Sequence, residues 1–149
     1  MIDFARADLL RLAAAVVLSF PISWDRERHT HIMGMRTFSL VAVGACAYVL
    51  VVDHFVPPDA YDARARVMQG LLSGIGFLGA GAILKRSDEV RGTATAASIW
   101  LTGALGAAVG HGQYLLAGAL SITAYLVLKV MSALQQRHQR ARAHPHDKD

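Results

Sequence analysis

Apolar residues in this chain fall into five blocks that charged clusters separate. The blocks cover residues 9–24, 38–56, 67–84, 93–110 and 114–131. Each approaches the roughly 20 apolar residues with which an α-helix crosses the hydrocarbon core of a bilayer. The pattern therefore predicts an all-α, polytopic membrane protein with five transmembrane helices, which we number 1 to 5 in chain order.

The third block is rich in glycine. Residues 69–81 read QGLLSGIGFLGAG, so five of these thirteen residues are glycine. In water, each glycine inside a helix costs about 1 kcal/mol relative to alanine. In lipid, the backbone must satisfy its own hydrogen bonds, and glycine lets neighbouring helices approach closely. We therefore predict that helix 3 lies at the centre of a helix bundle.

Small and polar residues form stripes along helices 3 and 4. Gln69 and Ser73 share one face of helix 3, while Thr95, Ser98 and Thr102 share a face of helix 4. Two interpretations stay open: hydroxyl groups that permit tight packing, or the lining of a narrow polar path. The predicted helix-packing residues are Gly70, Gly74, Gly76, Gly79, Gly81, Gly106 and Gly110.

Composition favours a membrane protein over a soluble helical domain. Of 149 residues, 54% are hydrophobic, and the mean hydropathy is +0.35. Five apolar blocks of this size leave too little polar surface to coat a soluble globule. The first block follows Arg6 and Arg11, as in a signal peptide, but residues 21–28 contain no convincing small-residue cleavage site. We therefore expect helix 1 to be retained.

Lys and Arg are unevenly distributed between the interhelical segments. The first and third segments and the C-terminal part carry eleven, whereas the N-terminal part and the second segment carry four. Because cytoplasmic loops are enriched in Lys and Arg, we predict an outer N-terminus and a cytoplasmic C-terminus. Residues 132–149 are expected to be a flexible basic tail. The same asymmetry accounts for the pI of about 9.6 without a nucleic-acid partner.

Charged side chains lie near the predicted membrane edges. Asp25 and Glu27 follow helix 1, and we expect them to share an ion-pair network with Arg36 and Arg91. Asp25, Glu27 and Asp53 are the carboxylates that we single out for Mg²⁺, although their spacing is not diagnostic. No confident metal site follows from this pattern.

Catalytic motifs do not emerge from the sequence. It contains no phosphate-binding Gly-Lys-Ser/Thr loop, no His-Glu-x-x-His motif and no nucleophile elbow. A Gly-x-Gly-x-x-Gly string at residues 74–79 lies inside an apolar helix, which is the wrong context for dinucleotide binding. We therefore expect a non-enzymatic protein without a resident cofactor.

Several motifs together resemble the MgtC/SapB family of bacterial inner-membrane proteins. They are SGIGFLGAGAIL at residues 73–84, VRGTATAASIW at 90–100, GMRTF at 34–38 and DRER at 25–28. From this resemblance, and from the helix-3 stripe that contributes Gln69, the candidate functional residues are Asp25, Arg26, Glu27, Arg28, Arg36, Thr37, Gln69, Ser73, Arg91, Thr93 and Thr95.

The resemblance implies a five-helix domain of the inner membrane, associated with low-magnesium growth, stress adaptation and, in pathogens, survival inside host cells. It implies a regulator that binds other membrane proteins, including the ATP synthase or a magnesium P-type ATPase. Residues 1–131 would form this domain, in a short form that lacks the soluble C-terminal domain of longer relatives. A homo-oligomer is a further expectation. The competing hypothesis is a small transporter of magnesium, another ion or a solute.

Overall fold

The structure of the protein, a computed structural model, describes residues 2–29, 33–86 and 89–142. Five helices follow one another along the chain: α1 (Ile2–His29), α2 (Met35–Phe55), α3 (Tyr61–Gly81), α4 (Thr93–Gly110) and α5 (Tyr114–Arg142). Two short strands, β1 (Leu84–Arg86) and β2 (Glu89–Arg91), connect α3 to α4. The prediction of an all-α protein with membrane helices is confirmed. Residues 6–29 of α1, all of α2 and α4, and residues 114–134 of α5 are long and apolar enough to cross a membrane.

α3 differs from those four helices. It begins at Tyr61 and ends at Gly81, so every 18-residue stretch within it includes Arg64 and Arg66. The apolar block predicted at residues 67–84 is also divided, because the chain turns at Ala82 and enters β1. The apolar part of α3 is therefore shorter than the block, and a fifth crossing stays a prediction.

The central helix of the bundle is α4. It packs against each of the other four helices, and eleven of its residues are buried. In α3 the buried residues are Ile75 and Gly79. The predicted central position of helix 3 is therefore wrong for the single chain.

Glycines on α4 provide the close approach that the sequence assigned mainly to helix 3. A β-carbon on Gly106 would collide with the carbonyl oxygen of Ala42 in α2, and one on Gly110 would also collide with α2. In α3, a β-carbon on Gly79 would lie 3.3 Å from the carbonyl oxygen of Ala96. The other four glycines predicted to pack on α3 have no such neighbour within 4 Å: Gly70, Gly74, Gly76 and Gly81. A glycine-rich sequence produces a smooth helix face but does not determine which element covers it.

Contacts between helices define two ends of the bundle. Arg11 Nη1 donates a hydrogen bond to the carbonyl oxygen of Gly110 at 3.1 Å, and His54 Nε2 lies 2.7 Å from Asp8 Oδ2. The start of α1 therefore lies beside the ends of α2 and α4, at what we call end A. The opposite end, end B, carries the end of α1 and the β-hairpin.

A β-hairpin occupies end B where the sequence suggested a simple loop. Leu84 pairs with Arg91 in antiparallel register. Gly92 then adopts a φ of +89°, and a β-carbon there would collide with the carbonyl oxygen of Ala82. Only glycine fits this position without strain. The hairpin and Gly92 together set the starting position of α4 at Thr93.

The last helix is longer than its apolar block. α5 continues to Arg142, so the tail predicted from residue 132 is helical where it begins, and its flexibility stays a prediction. Leu, Gln and Arg residues have high helix propensity and favour helix after the apolar block ends. Residues 143–149, the remainder of that predicted tail, lie outside the described residues.

Candidate functional site

A buried ion pair lies near the end of α1. Helix 1 was expected to end before Asp25, but α1 passes through Pro21 and continues to His29. A proline within a helix removes one backbone donor. Nearby, Ser19 and Ser23 each donate a hydroxyl hydrogen bond of 2.9 Å to the carbonyl oxygen three residues earlier. Because the helix continues, Asp25 is carried into the bundle rather than into a loop.

The carboxylate of Asp25 is surrounded by basic groups. Its Oδ2 accepts hydrogen bonds from Arg26 Nη2 at 2.6 Å and Nε at 3.2 Å. Its Oδ1 lies 3.5 Å from both His29 Nδ1 and Lys129 Nζ, and accepts no hydrogen bond within the described part of the chain. His29 Nδ1 donates instead to the Asp25 carbonyl oxygen at 2.8 Å, since a carbonyl oxygen can only accept. We call these four residues the Asp25 cluster.

Burial makes this cluster energetically sensitive. The side chains of Asp25 and Arg26 are 0% and 5% exposed. From Tyr114 at end A, α5 rises about 22 Å to Lys129 at roughly 1.5 Å per residue. The hydrocarbon core is about 30 Å thick, so in a bundle that crosses the bilayer the cluster is expected near the end-B boundary of that core. Ionisable residues at such depth are rare and are typical of functional sites, provided that they are paired.

The other residues of the predicted ion-pair network do not join Asp25 in the interior. Glu27 is exposed, and its Oε2 accepts a hydrogen bond of 2.8 Å from the backbone nitrogen of Met35 at the start of α2. Arg36 and Arg91 are exposed at end B. The network expected from the loops is therefore replaced, around Asp25, by residues of α1 and α5.

Polar residues on α3 and α4 do not face one another. Gln69 and Ser73 are exposed on α3. On α4, Thr93 is exposed and Thr95 is buried, its hydroxyl oxygen lacking a hydrogen-bond partner among the described residues. The Ser98 hydroxyl donates a hydrogen bond of 2.7 Å to the carbonyl oxygen of residue 94. The hydroxyl of residue 102 likewise donates a hydrogen bond of 2.8 Å to the carbonyl oxygen of Ser98. These hydroxyls bond to their own helix, which favours the packing interpretation over a polar path.

An open groove of about 700 Å³ separates α2 from α3. Its walls run from Thr37 to Tyr48 on α2 and from Val67 to Leu78 on α3, and most of their surface is apolar. Three glycines in these walls would have no neighbour within 4 Å of an added β-carbon: Gly44, Gly70 and Gly74. We call this feature the α2–α3 groove.

The three carboxylates singled out for Mg²⁺ do not form one site. Asp25 is bonded to Arg26 and Glu27 to a backbone nitrogen at end B, while Asp53 pairs with Arg64 at end A. Among the described residues, no three His, Cys, Asp or Glu side chains come together. The described carboxylates therefore provide no joint ligand set for a divalent cation.

Sequence reasoning missed the part that Lys129 plays. It was counted only among the basic residues of the C-terminal part, yet it lies within the apolar stretch 114–134 and faces Asp25. A single Lys in one apolar block and a single Asp near the end of another were the available signal. Their pairing depends on which helices are neighbours, and periodicity does not determine this.

Comparison with known proteins supports a common origin for most of the chain. A model of the MgtC family matches residues 12–137. Protein SrpB of Synechococcus elongatus is 36% identical over 137 residues, which cover 85% of this chain and 75% of that protein. Protein MgtC of Salmonella typhimurium is 38% identical over 106 residues, or 71% of this chain and 44% of that protein.

Protein MgtC of Brucella abortus is 40% identical over 116 residues, which cover 78% of this chain and 47% of that protein. The chain thus spans less than half the length of these two MgtC proteins. No solved structure matches the chain.

Proposed function

Because the chain belongs to the MgtC family of membrane proteins, we propose that it regulates other proteins of the bacterial inner membrane by helix–helix contact. The regulation serves adaptation to low magnesium or to stress and involves no catalytic step. End B faces the cytoplasm in this proposal, because it carries most of the Lys and Arg residues. The observation that carries the proposal is the α2–α3 groove with its uncovered glycines.

The groove has the properties of a site for a partner's transmembrane helix. Apolar surface alone does not drive helices together in lipid, because the acyl chains are equally apolar. Close backbone approach does, and it requires small residues on the contact face. Gly70 and Gly74 are four residues apart on α3 and therefore share one face, opposite Gly44 on α2. The family resemblance suggests the ATP synthase or a magnesium P-type ATPase as the owner of the partner helix.

The structure offers less support for the competing transporter. A cation pathway needs ionisable or carbonyl groups along its length, and Mg²⁺ gives up its water shell reluctantly. Ser98 and Thr102 are engaged with their own helix, while Gln69 is on the outer surface of α3. The charged groups of the Asp25 cluster gather around one carboxylate and do not form a continuous path across the bundle.

Matched glycine substitutions test the groove. Gly74→Leu places a side chain in the groove, where an added β-carbon has no neighbour within 4 Å. Gly118→Leu is the control, since Gly118 on α5 has equally open surroundings. We expect both variants to melt close to the parent in detergent. Only Gly74→Leu should lose co-purification with a co-expressed ATP synthase or P-type ATPase, by about tenfold if a typical core overpacking of 1–3 kcal/mol applies.

A flux assay in sealed vesicles distinguishes the two functions. We expect no protein-dependent entry of magnesium. Saturable entry that is lost in Gln69→Ala or Asp53→Ala would replace the regulator with a transporter. Equal co-purification by the Gly74→Leu and Gly118→Leu variants would contradict the α2–α3 groove as the contact surface, even without any flux.

A further inference from the structure

The geometry points to a binding site for the phosphate of an anionic phospholipid where α1 and α5 meet at end B. Its cationic groups are Arg28 and Lys129, with the imidazole of His29 between them in sequence, and the ring of Trp24 borders Arg28. They belong to two helices that are distant in sequence but adjacent in space. This site lies apart from the α2–α3 groove and does not depend on the proposed regulatory function.

Contacts between α1 and α5 hold the basic groups together. Ser121 on α5 donates a hydrogen bond of 2.6 Å to the carbonyl oxygen of Leu18 on α1. Two turns further towards end B, Lys129 Nζ lies 3.5 Å from Asp25 Oδ1. These two contacts hold α1 and α5 together. They therefore fix the position of the Lys129 ammonium group on α5 relative to the basic residues of α1.

Positive charge remains after the internal pairs are formed. Arg26 takes the hydrogen bonds of Asp25, and Lys129 is a second basic partner of the same carboxylate at 3.5 Å that stays 44% exposed, so one negative charge faces two positive ones. Arg28 contacts no carboxylate among the described side chains; its guanidinium carbon lies 4.4 Å from the centre of the Trp24 ring. In sequence, residues 24–36 and 125–142 contain seven Lys or Arg and two acidic residues. The uncompensated groups suit an anion.

The apolar surroundings favour a lipid over a free anion. Trp24 is 39% exposed and stacks with Phe20 at a ring-centre distance of 5.6 Å, so an apolar strip continues from Arg28 towards the membrane centre. Trp rings are typical of the level of the lipid headgroups. A phospholipid matches both parts, its phosphate beside the basic groups and its acyl chain along the rings. Basic pockets between helices on the cytoplasmic side are typical sites for anionic headgroups.

Titration of the full-length protein in detergent with phosphatidylglycerol tests the site, with thermal stability or native mass spectrometry as the measurement. We expect phosphatidylglycerol, but not phosphatidylcholine, to bind and stabilise the parent. Arg28→Gln should weaken binding about fivefold, because one Lys or Arg near an anionic surface contributes on the order of 1 kcal/mol. Lys129→Arg should keep the affinity, since it preserves the charge.

The matched control is Arg66→Gln, which removes an exposed arginine of α3 near end A. It should leave the affinity unchanged. Equal binding of phosphatidylcholine, or an equal loss of affinity in Arg28→Gln and Arg66→Gln, would overturn the site. Displacement of phosphatidylglycerol by inorganic phosphate at equal concentration would show that a free anion is the ligand and would overturn the lipid assignment.

Discussion

Asp25 determines how charge is arranged inside end B. A buried charge is tolerated only when it is paired, and breaking a buried pair costs more than the pair contributes over an apolar alternative. Asp25 is fully buried and neutralises Arg26, whose side chain is 5% exposed. The remaining oxygen faces Lys129 without a hydrogen bond. We therefore expect the carboxylate to contribute to the folding stability of this region as well as being a candidate functional group.

Replacing Asp25 by asparagine should destabilise the protein by about 3–5 kcal/mol, because the guanidinium of Arg26 is left buried without its counter-ion. Thermal unfolding in detergent measures the effect. Glu27→Gln is the matched control, since Glu27 is exposed and a glutamine oxygen still accepts from Met35. If the two variants unfold at the same temperature, the Asp25–Arg26 pair does not contribute to stability as the structure indicates.

Single residues were predictable from the sequence to different degrees. Asp25 and Arg26 stood out as charges beside an apolar block, and both belong to the buried cluster. Lys129 did not stand out as their neighbour, because its contact with Asp25 joins helices separated by most of the chain. Arg36 and Arg91 were expected beside Asp25 but are exposed. Residue spacing along the sequence predicts which side chains are neighbours on one helix. It does not predict which side chains meet between different helices.

At the scale of elements, apolar blocks located the helices better than they located the bundle centre. Both ends of α4 agree with its block, since Gly92 and the His111–Gly112 turn interrupt the helix at either side. α1 extends past Pro21, and α3 begins earlier and ends earlier than its block. The glycine content of α3 suggested that it is the central helix. Which glycine-rich face is covered by another helix depends on the assembled bundle, and the sequence of one helix does not determine it.

Two glycine-to-alanine changes test which helix is central. Gly106→Ala places a methyl group against the Ala42 carbonyl and should destabilise by about 1–3 kcal/mol, as in other overpacked cores. Gly76→Ala meets open space and should be neutral or stabilising by up to about 1 kcal/mol. Unfolding temperatures in detergent provide the comparison. A larger loss for Gly76→Ala would restore α3 as the centre of the bundle.

The whole molecule combines an apolar bundle with strongly unequal ends. Two contacts show which parts of the chain lie at each end. Arg11 donates a hydrogen bond to the carbonyl oxygen of Gly110 at end A, and Lys129 lies beside Asp25 near end B. Consecutive helices therefore run in opposite directions. α3 takes part in this alternation although it is less apolar, because Gly79 near its end packs on Ala96 near the start of α4.

The orientation of the bundle follows from charge, and cysteine labelling checks it. The segments at end B and the C-terminal part contain eleven Lys or Arg, against four elsewhere, so end B should remain in the cytoplasm. In a Cys46→Ser background, a membrane-impermeant thiol reagent should label Asp59→Cys and Gln113→Cys in intact cells. It should label Lys85→Cys only after the membrane is opened. Labelling of positions 59 and 85 from the same side would mean that α3 does not cross the bilayer, whereas exchange of the two sides would mean that the charge distribution does not set the orientation.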